Sequence, residues 1–209
     1  MKTIANLFEI EGEIIDVQPF GNGLINDTFK VTTSSGAPDY VLQRINNAIF
    51  TDVELLQRNI EAVTAHIRHK LEQAGEDDLG RKVLRFVKVK GCERTWLCHE
   101  GKYWRLSVFI PDAITYEAVT PEYSYFAGKA FGRFEAMLSD IPDTLGETIP
   151  DFHNMELRSR QLNEAVAADK AGRLADPEVQ AILAELQKYD KQMCKAERMH
   201  REGTLPKRI

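Results

Sequence analysis

The residues best suited to chemistry lie between positions 20 and 31, where two glycines and two asparagines separate two apolar runs. Glycine and asparagine tolerate positive φ, and a glycine lets another atom approach the backbone closely. The flanking apolar runs predict a β-hairpin with this loop at its tip. Backbone N–H groups in such a loop can bind phosphate oxygens, although an ordinary hairpin turn is the simpler interpretation of this segment alone.

The next elements along the chain would position such a loop. An apolar run with one cation occupies 40–46, and it predicts a strand. Thr51 and Glu54 have the spacing of a capping box, in which Thr51 is the N-cap and Glu54 is used at the cap. Apolar residues at steps of three and four then predict a helix to about Gly75. A glycine loop, a charged strand and a helix with a carboxylate follow one another in a kinase-type nucleotide cradle.

Composition narrows the functional classes. The chain has 209 residues, 43% of them apolar and 28% charged, with a net charge of −5. This balance predicts a cytoplasmic protein with no nucleic-acid partner, because a nucleic-acid surface needs clustered lysine and arginine. We also expect no membrane partner, because no apolar run approaches the roughly 18 to 20 residues of a membrane span. The cysteines lack metal-ligand spacing, and neither a P-loop nor a nucleophile-elbow motif occurs.

The chain changes from β-rich to α-rich at Pro111. Three segments before it predict an antiparallel meander, which gives a sheet of about five or six strands with one helix inserted. Thr120 and Pro121 are typical of a helix start, and Gly128 and Gly132 on that helix are most simply explained by close helix packing. The predicted meander strands lie near 82–90, 93–100 and 102–110, the predicted helices near 120–138, 155–171 and 176–201, and a new strand or loop at 203–209.

Four segments resemble the aminoglycoside phosphotransferase and choline-kinase-like superfamily, in its N-acetylhexosamine 1-kinase-like branch. They follow in the same order along essentially the whole chain, at 21–28, 40–46, 104–117 and 131–154. The resemblance implies an α+β, protein-kinase-like fold. Residues 1–110 would form a β-rich N-lobe with one inserted helix, and residues 111–209 the hinge and first helices of an incomplete helical C-lobe.

The same resemblance implies the activity and the partners. Members of the family transfer the γ-phosphoryl group of ATP, or sometimes GTP, to a hydroxyl of a sugar, an aminoglycoside or choline, with Mg²⁺. The expected partners are therefore a nucleotide and a small-molecule sugar acceptor. The phosphates would be bound by the backbone of Gly21, Asn22 and Gly23 and by side-chain donors of Asn26 and Thr28.

The position of the phosphate-binding cation departs from the family pattern. Many members place a basic residue directly after a triplet like 40–42, but this sequence has Gln43 there and the cation at Arg44. Neighbouring strand residues point to opposite faces. Either Gln43 binds phosphate as a neutral donor, or a bulge brings Arg44 round. The helix carboxylate that pairs with the cation would be Glu61, with a solvated helix-face role as the equal alternative.

The remaining predicted site residues lie at the hinge and near the acceptor. By the resemblance, Phe109 and Ile110 would bind the adenine edge through backbone groups, although both also mark the end of a buried strand. Asp112 could lie near the mouth of the cleft. His153 and Asn154 fall in the loop that approaches the acceptor in the family, and a loop-capping role is their alternative.

A catalytic loop of the form H-x-D-x-x-x-x-N is not found in these 209 residues. None of the five histidines is followed by aspartate two residues later. We therefore expect the N-terminal portion of an ATP-dependent small-molecule kinase. It would bind the nucleotide, but it would lack the catalytic and metal-binding aspartates and would transfer no phosphate alone. The alternative is a non-catalytic kinase-like module that binds a nucleotide or a partner. An incomplete C-lobe also predicts exposed apolar surface on the later helices, and hence self-association.

Overall fold

The computed structural model describes residues 1–116 and 118–205 and shows a mixed α and β protein. The chain forms two compact units, one of them Met1–Thr148 and the other beginning at Ile149. The division into lobes predicted after residue 110 stays a prediction, and the last part of the segment predicted at 203–209 lies outside the described residues. No described helix is long and apolar enough to span a membrane.

The first unit is built on a five-stranded antiparallel sheet with the order β1-β2-β3-β5-β4. The predicted hairpin is confirmed, because the first two strands pair on either side of the glycine loop. The strand predicted at 40–46 is also confirmed. The strands are β1 (Ile14–Pro19), β2 (Asp27–Thr33), β3 (Tyr40–Ile45), β4 (Trp96–His99) and β5 (Lys102–Val108).

The long helix α2 (Val53–Gln73) follows β3 in the chain and packs on one face of the sheet. Its buried Leu56 contacts the cluster around Ile45. The predicted cap is wrong by one residue: the N-cap is Asp52, whose side chain accepts a hydrogen bond from Leu55 N at 2.8 Å. Asp52 is a better N-cap than Thr51, because its carboxylate accepts the hydrogen bond and its negative charge also complements the helix dipole.

The opposite face of the sheet carries the main core. A short helix α1 (Lys2–Ala5) and the following Phe8 cover it, and strand alternation brings apolar residues from every inner strand to this side. Burial of apolar side chains here is the main stabilising contribution to the unit. The fully buried members are Ala5, Phe8, Val31, Tyr40, Leu42 and Leu106.

The strand predicted at 82–90 is wrong. A short helix α3 (Leu79–Lys82) ends there, and the following residues form only isolated bridges. Val87 N donates to Leu106 O at 2.9 Å, whereas Val89 N donates to Arg94 O at 2.8 Å. Lys90 N also donates to Leu7 O at 2.9 Å, so the segment is divided among three partners and forms no continuous ladder.

Helix α4 (Pro121–Leu138) begins as predicted, with Thr120 as N-cap and proline in the first turn. The packing explanation for Gly128 and Gly132 is wrong, because a Cβ at either position would meet nothing within 4 Å. Exposed aromatic side chains mark much of this helix instead. They are Tyr123, Tyr125, Phe126, Phe131 and Phe134.

The second unit contains α5 (Met155–Ala168), α6 (Pro177–Met193) and α7 (Lys195–Arg201). The single helix predicted from 176 to 201 is interrupted at Cys194. Ser159 Oγ donates to Asp190 Oδ1 at 2.5 Å and joins α5 to α6. Arg201 donates to both carboxylate oxygens of Glu156, at 2.7 and 3.0 Å, and joins α7 to α5.

Candidate functional site

The glycine loop is anchored at its base and exposed at its tip. Phe20 N donates to Thr28 O at 2.9 Å and extends the hairpin ladder to the start of the loop. Asn26 Oδ1 accepts a hydrogen bond from Asn46 N at 3.0 Å, so the loop is tied to the end of β3. Gly21 has φ of +76° with nothing near its would-be Cβ, and this conformation, rather than lack of space, favours glycine there.

A row of polar side chains crosses the sheet beside the loop. The register places Thr28 on β2 opposite Gln43 on β3, and Gln43 opposite Arg105 on β5. Gln43 Nε2 donates to Thr28 Oγ1 at 3.2 Å, and Arg105 Nε donates to Gln43 Oε1 at 3.0 Å. We call these three residues the polar row.

The polar row lies on the sheet face that α2 covers. Ile45, two residues after Gln43, packs against α2, and Trp96, opposite Arg105, joins the same cluster. Side chains two apart on a strand, or directly opposite on a neighbouring strand, share a face. The helix therefore covers one end of this face, and the polar row begins beside it.

Arg44 points to the other face of the sheet. It forms an ion pair with Asp27, and about two fifths of its side chain is exposed. The pairings of β3 with β2 and with β5 both run without a register shift, so the bulge considered for bringing Arg44 round is not formed. Gln43, not Arg44, is the residue that belongs to the face of the polar row.

Glu61 on α2 binds a hydroxyl. Its Oε1 accepts a hydrogen bond from Thr95 Oγ1. The same Thr95 oxygen accepts a hydrogen bond from Gln57 Nε2 at 2.7 Å. Glu61 thus lies at the start of β4, where the neutral Thr95, the residue before the strand, holds its carboxylate.

The end of β5 is closed by aromatic and charged side chains. Phe109 N donates to Asp39 O at 2.8 Å, which engages one of the backbone groups predicted to bind adenine. The Phe109 ring lies edge-on to Phe20, with centroids 5.7 Å apart, and Lys30 Nζ is 4.4 Å from its centroid. Ile110 follows as a partly buried residue.

Lys30 already has a counter-charge in Asp39, with Nζ and Oδ2 at 3.0 Å. Partial burial raises the pKa of Asp39, but the hydrogen bond from Thr33 N–H and the interactions with Lys30 outweigh it, so that its pKa is below the ordinary value. The Asp39 carboxylate is therefore ionised at neutral pH and provides the counter-charge of Lys30.

The residues predicted near the acceptor have local structural roles. Asp112 is exposed and has φ of +56°. In the second unit, Asn154 is the N-cap of α5: its Oδ1 accepts from Leu157 N at 3.0 Å and its Nδ2 donates to Asp151 at 2.8 Å. The His153 ring packs against Phe152, with centroids 4.5 Å apart. A capping role is thus seen for Asn154, and an acceptor contact stays a prediction.

Two cavities of the first unit lie apart from the polar row. One of about 440 Å³ is mainly apolar and is lined by residues of α2 and α4, among them Ile60, Val63 and Phe134. The other, of about 290 Å³, is polar and is lined by the loop residues Leu24 and Ile25 together with Arg44 and Lys102. Within the described ranges, no group of three or more His, Cys, Asp or Glu could hold a metal ion.

Sequence reasoning missed Arg105. Its signal was a single cation inside the otherwise apolar run from Tyr103 to Ile110. The identity of its neighbour depends on strand register, which the sequence did not provide. The sequence matches no family model.

Proposed function

We propose that this protein binds a nucleotide through its first unit. The observation that carries the proposal is the polar row, which joins the glycine loop to an arginine on one sheet face. Loop N–H groups can bind phosphate oxygens. The Thr28 hydroxyl, the Gln43 amide and the Arg105 guanidinium add side-chain donors, and arginine suits phosphate recognition because of its planar set of donors.

The order of elements also supports a kinase-type cradle. The loop joins β1 to β2, the helix with Glu61 follows β3, and β5 returns to the free edge of β3. Kinase-type cradles use a glycine-rich loop over the phosphates, a side chain on the third strand and a carboxylate on the following helix. Gln43 and Glu61 occupy the corresponding elements here. Gln43 is hydrogen-bonded to Thr28 and Arg105, whereas Glu61 is hydrogen-bonded to Thr95.

Together with the resemblance of the sequence, this arrangement leads us to propose that the chain is related to ATP-dependent small-molecule phosphotransferases of the aminoglycoside phosphotransferase and choline-kinase-like kind. The acceptor, a sugar or amino sugar, is implied by the resemblance alone. Such enzymes require Mg²⁺, and the described residues provide no carboxylate cluster that fits it. We therefore assign this chain the binding of the nucleotide and no step of the transfer. The 209 residues alone are expected to bind nucleotide without phosphorylating an acceptor.

Calorimetric titration of the 209-residue chain with adenosine, ADP and ATP tests the proposal. We expect saturable binding that strengthens from adenosine to ATP, because the additional phosphates reach the loop and the polar row. A coupled assay with ATP, Mg²⁺ and N-acetylhexosamine should show no turnover. Folded protein that binds none of the three at about 1 mM, a binding free energy weaker than about −4 kcal/mol, would refute nucleotide binding.

A further inference from the structure

The sheet face beside the glycine loop has a cation on a different strand from the expected one. The β3 member of the polar row is the neutral Gln43. Arg44 lies on the other face and is paired with Asp27. Arg105 on β5 is directly opposite Gln43, so the positive charge is one strand away from the usual position.

Arg105 is held as a cation without a counter-charge. Its Nε is bound to the neutral Gln43 amide, and its guanidinium carbon lies 5.5 Å from the centroid of the Phe86 ring. Its Nη1 is withdrawn from solvent and has no hydrogen-bond partner. Burial lowers the pKa of Arg105, and no charged neighbour among the described residues offsets this effect.

This environment distinguishes Arg105 from the other cation on the same face. Lys30 has Asp39 as an ion-pair partner. Buried charges in proteins are ordinarily paired, because an unpaired one loses its hydration without compensation. The polar row therefore contains a guanidinium that an anion from outside the chain would stabilise.

We propose that Arg105 supplies the positive charge for the phosphates of a nucleoside di- or triphosphate, in place of a basic residue on β3. Gln43 connects it to the loop. Gln43 accepts from Arg105 and donates to Thr28, which leaves the hydrogen of the Thr28 hydroxyl to donate to a phosphate oxygen. Hydrogen bonds in such a chain strengthen one another. The inference rests on the proposed function and names the charge at that site.

The test compares Arg105→Gln with the wild type for adenosine, ADP and ATP, by calorimetry. We expect ATP and ADP to bind about 10- to 100-fold more weakly, because a charge-assisted hydrogen bond is lost, and adenosine to bind within about twofold of the wild type. Arg44→Gln is the matched control, since it removes the same charge from the opposite face. It should bind all three ligands like the wild type.

Rescue gives the second arm. Gln43→Lys added to Arg105→Gln returns a cation to the β3 position, and it should restore most of the affinity for ATP. Equal loss of adenosine and ATP in Arg105→Gln, with no recovery in the double variant, would show a merely structural role and overturn the inference. Unchanged ATP binding in Arg105→Gln would overturn it as well. If the wild type bound no nucleotide, the proposed function would itself fail.

A measurement on the unaltered protein covers the case in which the variants do not fold. The Nε–H resonance of Arg105 in a ¹⁵N-labelled sample should shift on addition of ADP or inorganic pyrophosphate, and stay in place with adenosine. An Nε–H chemical shift that does not change with any of the three ligands, although ADP binds, would contradict a contact of Arg105 with phosphate.

Discussion

Asn26 has two separable roles if the proposed site is correct, and two substitutions distinguish them. Its Oδ1 accepts from Asn46 N at 3.0 Å in a partly buried position, which ties the glycine loop to β3. Its Nδ2 is the side-chain donor that the proposal assigns to a phosphate. Asn26→Ala removes both groups, whereas Asn26→Asp keeps an acceptor for Asn46 and replaces the donor with a negative charge.

The two variants should differ in stability. In Asn26→Ala the Asn46 N–H loses its acceptor, and a net loss of about 1 kcal/mol is expected because water can reach part of this position. For a unit of this size such a loss lowers the melting temperature by about 2–4 °C. Asn26→Asp should melt close to the wild type, since its carboxylate also accepts the hydrogen bond.

The affinity for ATP should be affected more strongly by Asn26→Asp than by Asn26→Ala, the reverse of their effects on stability. A carboxylate at about 6 Å from a phosphate, in an effective dielectric constant of about 20 to 40, opposes binding by about 1–3 kcal/mol. Asn26→Asp should therefore bind ATP about 10- to 100-fold more weakly, and adenosine almost unchanged. Urea unfolding and calorimetry provide the two readings. An Asp variant with wild-type ATP affinity would mean that no phosphate lies near Asn26, and an Ala variant of unchanged stability would refute the anchoring role.

Three further predictions concern the rest of the first unit. Gly12→Ala should lower the free energy of unfolding by about 1–3 kcal/mol, because Gly12 has φ of +82° and an added Cβ would lie 2.5 Å from that of Ala37. Gly128→Ala, where an added Cβ meets open space on α4, should raise it by about 0.5–1 kcal/mol, and urea unfolding measures both changes. Asp39→Asn should be less stable than the wild type at pH 7, and the difference should shrink as the pH falls below about 4: the folded-state pKa of Asp39 is lowered, so its contribution is present above the unfolded-state pKa and is lost as the carboxylate becomes protonated. A difference that stays constant from pH 7 to pH 3 would rule out a role for its charge. Phe131→Ser should leave the melting temperature nearly unchanged, because the ring is 69% exposed, and it should weaken any self-association seen by analytical ultracentrifugation; an equal association constant would exclude this face.

The sequence was sufficient for elements with strong local signals. The glycine-asparagine loop, the run at 40–46 and the apolar stripe of α2 are each marked by turn residues or by periodicity, and the structure has an element at each place. The segment at 82–90 has the same apolar pattern as a strand. It forms none because its hydrogen bonds are divided among β5, Arg94 and residues 7–9, and such long-range competition leaves no local mark in the sequence.

The site was predictable only as far as strand alternation extends. Alternation was enough to place Gln43 and Arg44 on opposite faces, and it left open which of them faced the loop. The answer needed the unbroken register of β3 with both of its neighbours. The same register brought Arg105 into the polar row, from a strand that is about 60 residues further along the chain. Pairing at that separation is set by tertiary packing, so no short motif contains it.

Because Gln43 is neutral, the cation proposed for the phosphates and the carboxylate on α2 are not paired with each other at this site. A lysine on β3 would carry its own charge to the phosphates, and a carboxylate on α2 would hold that lysine in place. Here Glu61 is bound to Thr95, and the charge of Arg105 reaches the loop through an amide and a hydroxyl. The carboxylate of α2 is thus held by the residue before β4, whereas the cation proposed for the phosphates lies on β5. Loss of the contact between Glu61 and Thr95 would then leave the polar row intact. Nucleotide affinity in Glu61→Ala, which removes the acceptor for Thr95, should therefore stay within about twofold of the wild type, whereas loss of Arg105 should remove the dependence on phosphate.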